Sequence, residues 1–600
     1  MTDARAAVRA ILDGAEDIDL EGHQKGLPGG DIAPGSDDLG SEPPPPTEGD
    51  DPPPEAECAA FPLNDIGNGA RFERYFGDRV LRVPRIAYYD WVGTHWRKDE
   101  DGLRVRRLAQ EVSARIYREA KHLAIEDWQQ EALDQADRTA EEWKRLSDIK
   151  PADMTDEDRT RLKALDRIAD SAKEVRAGLA QRRAGHRRHA KATGNTGKID
   201  AMLKEASVPL ARDLDDLDAD PLVVNCLSHT LRFTQVDCRA DGGGTVVDVA
   251  ATPHAQSDLL TKCVQARYVT GARSKLWDDF LGRIQPNPAP RAFLQRWLGL
   301  SMCGLPVQKL AFFYGHGANG KSVLIDVVCR LLDEYAATAP IEALTGQSRR
   351  GGADATPELM PLIGARIVRA SEPEQGERFK EGMIKALTGG EPIPVRALHS
   401  DFVFIKPFFK LTISGNHKPE IRGTDDGIWR RVILVPFDVQ IPEEERDPEL
   451  GAKLWAERDA IFAWLVDGLV DYLEGGLRVP TSVADATAGY RKESDPVGAF
   501  LTECAVMDGG DDFMLSKDLI EAFNFWLEGN GETRWGARTV SLRLKDKAGR
   551  WRHPKGGHAM IPAKRQASGY RGIVLDPDFK ARLADSAGGS ASGTETEDGY

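Results

Sequence analysis

The sequence predicts a multidomain α/β protein: a phosphate-binding α/β core between a mainly helical N-terminal part and a C-terminal unit ordered helix, helix, wing. Three observations lead there. Six hundred residues with 41% hydrophobic content are enough for several cores. Residues 311–326, AFFYGHGANGKSVLID, read as strand, glycine-rich loop and helix. Residues 533–575 then hold eleven Lys/Arg against one acid, a net of +10 in a chain whose total is −16.

Charge is unevenly spread. Residues 1–57 carry a net of −12 and 576–600 a net of −4, so the stretch between them is neutral overall and leaves room for a basic surface. The first sixty residues, rich in Asp, Glu, Gly and runs of Pro, cannot offset their ordering entropy by apolar burial, and they are expected to be a disordered tail, as are residues 576–600. No apolar run approaches the ~20 residues needed to span a bilayer, and acids stand in residues 1–20 where a signal peptide has its apolar core. A cytoplasmic chain without membrane contact is expected. The seven Cys show no C-x-x-C pair, as for reduced thiols; Cys226 and His229 with Cys238 fall one ligand short of a zinc set.

Residues 61–300 read as a mainly helical domain with a small β-rich part. Asn64 is a helix cap. Residues 80–96 alternate apolar and polar around Gly93, a hairpin whose Tyr88, Tyr89, Trp91 and Trp96 either build a small core or stack on bases. Residues 103–210 are helical, broken near Pro151, with a stripe through Trp128, Leu133, Ala136, Ala140, Trp143 and Leu146. Residues 176–198 hold seven Lys/Arg, two His and no acid: a solvated face or a nucleic-acid contact. A β-rich stretch at 221–249, turning at Gly242, Gly243 and Gly244, is followed by helix over 257–300.

The core spans 301–440. Gly315 to Ser322 fit G-x-x-x-x-G-K-[ST] behind an apolar strand. Gly315, Gly317, Asn319 and Gly320 let backbone N–H groups through Val323 turn toward phosphate oxygens; Lys321 reaches the outer phosphates and Ser322 ligates Mg²⁺. The loop therefore implies a bound nucleoside triphosphate, ATP with Mg²⁺. Fifty residues on, a β-branched run ends in Glu372, placed to polarise the attacking water. A third strand ends at Asn416, whose amide can meet the γ-phosphate or water, and Arg430 and Arg431 precede a fourth. A guanidinium reaching a neighbouring subunit's phosphates is worth roughly 10³–10⁵ in rate.

The ordered blocks GHGANGKS, RIVRASEP, KALTGGEPIPVRALH, FKLTISGNHKP and GIWRR, over some 120 residues, resemble superfamily 3 helicases of the phage and plasmid primase-helicase type, the group of poxvirus and satellite-phage replication proteins. The resemblance extends to 64–96 and 461–501. It implies an AAA+-like fold in which Lys321 and Ser322 are the Walker A residues, Glu372 the Walker B acid, Lys385 the B-prime lysine, Asn416 sensor 1, and Arg430 or Arg431 the arginine finger. Residues 394–403 resemble the hairpin that enters the channel of a hexameric ring, where Arg396 and His399 would grip single-stranded DNA. Ser371 departs from the pattern by standing where many related ATPases have Asp. A bacterial host cell, a 3′ to 5′ motor and a separate primase or polymerase partner are further implications. So is the lack of priming activity, since about sixty low-complexity residues precede Phe61.

Residues 441–508 read as a helical segment. Residues 509–575 then order as a helix over 517–527 capped by Ser516, a helix over 537–545 and two strands around the turn at Lys555, Gly556 and Gly557, a winged-helix pattern. Arg538 and Arg543, on the candidate recognition helix, are the expected DNA contacts. The function these readings imply is an ATP-dependent replicative DNA helicase on single-stranded and forked DNA; the alternative is an initiator that uses ATP as an assembly switch.

Overall fold

A computed structural model describes residues 53–237, 244–346, 356–396, 402–421, 426–507, 509–553 and 557–589. It is a mixed helix and sheet, multidomain structure. The turn glycines Gly242 and Gly243, the turn at 555–556, Cys238, His399 and most of the two acidic tails lie outside the described residues.

Near the N-terminus, Asn64 caps the helix Asp65–Phe76, its Oδ1 accepting the Gly67 N–H at 2.8 Å. The expected hairpin is a three-stranded antiparallel meander, Val80–Val83, Ala87–Trp91 and Trp96–Asp99. Its aromatics are structural: Tyr89 and Trp96 are buried, and Tyr88 Oη donates to Leu203 O at 2.5 Å. Helices Leu103–Glu119, Asp127–Ser147, Asp156–Thr193 and Thr196–Ala206 follow. The Trp128 to Leu146 stripe is half realised, since Trp128 is 58% exposed while Leu146 is buried.

A buried charge cluster pins these helices together. Arg71 Nε donates to both oxygens of Glu119, at 2.9 and 3.2 Å, and Tyr75 Oη donates to the same carboxylate at 3.0 Å. His186, from the long helix, sits 3.4 Å from it. The basic stretch is largely spent locally. Arg176 pairs with Asp137, Lys198 with Asp65, and the Arg187 guanidinium lies over Tyr117.

The stretch expected to be helical from 257 holds only a 3-10 turn at Gln256–Asp258 and is irregular as far as Ser274, which caps the helix Lys275–Ile284 by accepting the Trp277 N–H; Pro288–Leu300 follows. The central sheet comes next: β1 Leu310–Tyr314, β2 Ala336–Ala339, β3 Ile367–Ala370, β4 Lys410–Gly415 and β5 Val432–Pro436. All pairings are parallel, in the order β5-β1-β4-β3-β2. Strands buried on both faces read as continuous apolar runs, which is why β1 is LAFFY and β5 VILVP. Helix α1, Lys321–Leu332, leaves the loop after β1.

Residues 441–508 do not form a separate unit. Helix Arg458–Gly475 packs on Pro288–Leu300 at glycines: a Cβ on Gly468 would come within 2.1 Å of Gln295 O, and one on Gly299 within 2.4 Å of Leu469 N. Helix Thr481–Glu493 runs along the β5 edge of the sheet, where the Leu434 N–H donates to Thr487 Oγ1 at 2.9 Å, with Tyr490 edge-on to Trp429 at 5.2 Å. Helix Pro496–Cys504 instead enters the C-terminal core.

That C-terminal core starts near 496 rather than 509 and reaches past 575. Helix Pro577–Gly589, expected to be tail, seats Phe579 beside Phe500 and Phe525. Between them lie strand Phe513–Leu515, helices Ser516–Gly529 and Ala537–Lys547, and strands Ile561–Lys564 and Ser568–Arg571, paired antiparallel with Ser568–Arg571 central. Leu515 rather than Ser516 is the N-cap, and the strand turn falls at 565–567, not at Lys555-Gly556-Gly557.

Candidate nucleotide site

Beyond β1 the chain must reverse into α1 within six residues, and the backbone takes left-handed angles to do so: Ala318 at φ +60° and Gly320 at φ +79°. A Cβ on Gly320 would also meet Ile284 Cγ2 at 2.4 Å, and one on Gly315 would meet Phe437 O at 2.2 Å, so close approach requires glycine at both positions. Asn319 fastens the loop from inside, donating to His316 O at 2.5 Å and to Phe437 O at 3.3 Å. Gly317 has open space where a Cβ would stand.

Lys321 is 4% exposed and folds back over the loop, its Nζ donating to Gly315 O and, at 3.0 Å, to Asn416 Oδ1. Burial lowers its pKa below the usual lysine value, while the nearby Glu372 opposes that shift. Glu372, just beyond β3, accepts from the Asn416 N–H at 2.8 Å and from Asn416 Nδ2 at 3.2 Å. Three of the expected residues, carried by three separate segments, thus form one hydrogen-bonded chain. They line a cavity of about 430 Å³ together with Gly317, Asn319 and Ser322.

The cavity suits a polyphosphate. The buried Lys321 ammonium lines it, loop residues 317–319 form one side, and the exposed Ser322 stands at the helix start. Among the described residues no group of three or more His, Cys, Asp or Glu could hold a metal by itself. A magnesium ion that keeps several waters and shares the nucleotide's phosphates needs no such cluster.

Other expected residues fall elsewhere. Lys385 lies half-buried on the helix Glu381–Gly389 and does not line the cavity. Arg431 is buried, donating to Thr388 Oγ1 at 3.0 Å and Gly427 O at 2.5 Å, whereas Arg430 is exposed. Both precede β5, whose first residue pairs with the first residue of β1, so they sit at the opposite end of the sheet from the loop. Arg396 follows the first strand of the hairpin Ile393–Val395 and Val403–Ile405; its guanidinium stacks on Phe402 at 4.8 Å, and Phe404 is 65% exposed.

In the C-terminal unit Arg538 is exposed. Arg543, also expected to contact DNA, is turned instead into a crevice with Lys418, Tyr490, Glu493 and Trp535. Burial lowers its pKa, with Glu381 and Asp495 pulling the other way. Helical periodicity separates these two residues by five positions, about 140° around the axis, so they cannot share a face.

Two residues that sequence reading passed over also line the cavity: Asp326 on α1 and Arg369 on β3, directly ion-paired. Their signal was positional, Asp326 four residues after Ser322 and Arg369 two before Ser371.

Two family models match parts of the chain. A family described as D5 N terminal like matches residues 69–286, and a family of unknown function matches 313–431, from the phosphate loop to the arginine pair. The chain is 27% identical over 296 residues to the Acanthamoeba polyphaga mimivirus protein named "Putative helicase L207/L206", covering 46% of this chain and 31% of that one. It is 28% identical over 302 residues to "Putative helicase 022R" of Frog virus 3, covering 47% and 31%. To "Primase D5" of Fowlpox virus it is 26% identical over 175 residues, covering 28% and 22%. The chain spans about a third or less of the length of these curated relatives. Among solved structures, the apo C-terminal region of NrS-1 aligns at 13% identity and a TM-score of 0.34 over 52% of this chain and 78% of that one. No described helix is long and apolar enough to cross a membrane. Residues 69–286 thus match the D5 N-terminal-like family, and the viral relatives are proteins named as putative helicases and as a primase.

Proposed function

We propose that the chain is an ATP-driven DNA helicase of phage, plasmid or prophage replication that works as a ring of six subunits on single-stranded and forked DNA. The observation that carries this reading is the split between the two halves of the ATPase apparatus. Lys321, Asn416 and Glu372 converge at one end of the sheet, while Arg430 is exposed at the other. Five strand residues separate the ends, roughly 16 Å. Arg430 therefore suits a neighbouring copy's nucleotide rather than its own, and the site is completed by assembly.

In this reading Lys321, the loop amides and Ser322 would hold ATP and Mg²⁺, the ion neutralising phosphate charge and the phosphoanhydride supplying the energy. Glu372 takes the proton from the attacking water, and Asn416 fixes its carboxylate in place. The strand order β5-β1-β4-β3-β2 supports an AAA+-like assignment. The hairpin at 393–405 is the DNA-gripping element, and the C-terminal unit is a winged helix with its exposed basic residues on duplex DNA. The names of the viral relatives point the same way. A separate primase or polymerase is the natural partner for a replicative motor.

The test compares wild type with Lys321→Ala on a forked DNA. DNA-stimulated hydrolysis coupled to unwinding, both lost in the variant, is the expected result. Hydrolysis without unwinding would favour an ATP-switched initiator.

A further inference from the structure

We propose that Asp326 supplies the carboxylate that β3 lacks, acting through water on the divalent cation that accompanies the nucleotide. This rests on the nucleotide-site reading above. The strand ends in Ser371 and Glu372, so a single acid is present there, and both of its oxygens already accept hydrogen bonds from Asn416. The Ser371 side chain brings a hydroxyl and no charge.

Asp326 fills the gap from the helix side. It lies four residues beyond Ser322 on α1, one turn further along the same face, and it lines the same cavity as Ser322, Ser371 and Glu372. Arg369, on β3 and lining the same cavity, holds the Asp326 carboxylate directly and donates through Nε to Thr338 Oγ1 at 3.0 Å. The pair is solvent-accessible, its side chains 37% and 62% exposed, and an ion pair that open contributes little to stability. Its position fits a role toward the bound ion better than one in holding the fold. Magnesium keeps most of its waters and takes one or two protein groups, and a carboxylate bonded to such a water is the usual second support.

Manganese serves as the probe, titrated into protein saturated with a non-hydrolysable ATP analogue and followed by the paramagnetic resonance signal of the free ion. Asp326→Asn is expected to weaken Mn²⁺ binding about tenfold or more, while binding of the analogue in EDTA stays at the wild-type level. Arg369→Ala, which frees the Asp326 carboxylate from its competing cation, is expected to keep or raise the Mn²⁺ affinity. Unchanged Mn²⁺ affinity in Asp326→Asn would overturn the proposal. So would an equal loss in both variants, which would reduce the pair to a structural tie. Failure of the wild type to bind the analogue would instead count against the nucleotide site itself.

Discussion

The Lys321 ammonium donates to Asn416 Oδ1 at 3.0 Å, and Asn416 in turn donates to both oxygens of Glu372. One amide side chain thereby couples the group placed to hold phosphate to the group placed to activate water. Glu372→Gln keeps the hydrogen-bonding shape and removes the base, so turnover is expected to fall by about 10²–10⁴ with nucleotide binding retained. Asn416→Ala is expected to lower turnover in the same direction. Single-turnover hydrolysis set beside calorimetric binding checks both, and a loss of binding equal to the loss of turnover would contradict the assigned roles.

Arg430 and Arg431 are expected to fail in different ways. Arg430→Ala should reduce hydrolysis by about 10³ or more without changing stability. Mixing it with Lys321→Ala subunits should restore part of the activity, because an intact site can then meet an intact arginine. Arg431→Ala leaves Thr388 and the Gly427 carbonyl without their buried donor and should cost about 1–3 kcal/mol in denaturant unfolding. Equal stability of the two variants would undo this division.

The Glu119 carboxylate is pushed upward by burial, but His186, Arg71 and Tyr75 outweigh that and hold its pKa below the ordinary 4.5. A carboxyl lowered on folding stabilises the fold above its unfolded pKa and loses that contribution as pH falls through its folded value. Stability of the N-terminal helices should therefore decline below about pH 4.5. Arg71→Met, which strands the buried carboxylate, should cost about 3–5 kcal/mol at neutral pH. Acid titration followed by circular dichroism is the measurement, and an acid transition that Glu119→Gln leaves unmoved would count against this account.

Arg538 faces solvent and Arg543 a crevice, so their variants should separate on duplex DNA. Arg538→Ala is expected to weaken binding and reduce the slope of log affinity against log salt by about one. Arg543→Ala should leave the slope unchanged and alter the seating of the C-terminal unit, seen as faster proteolysis near 494–496. Matching slopes in the two variants would refute the assignment.

The sequence by itself determined the phosphate loop, four of the five strands of the central sheet and the two helices of the C-terminal unit, because each depends on local chemistry: glycine where the backbone must turn left-handed, apolar runs where a strand is buried on both sides, an apolar stripe along a helix. It also marked Glu372 and Asn416 by their places at strand ends. Tertiary structure decided everything that depends on facing and reach. It divided Arg430 from Arg431, since a buried guanidinium must find acceptors that no local pattern reveals. It turned Arg543 inward, joined residues 496–504 and 577–589 to the C-terminal core through Phe500 and Phe579, and brought Asp326 beside Arg369 across 43 residues of chain. Those outcomes follow from packing between segments far apart in sequence, where periodicity carries no information about which neighbour will be met.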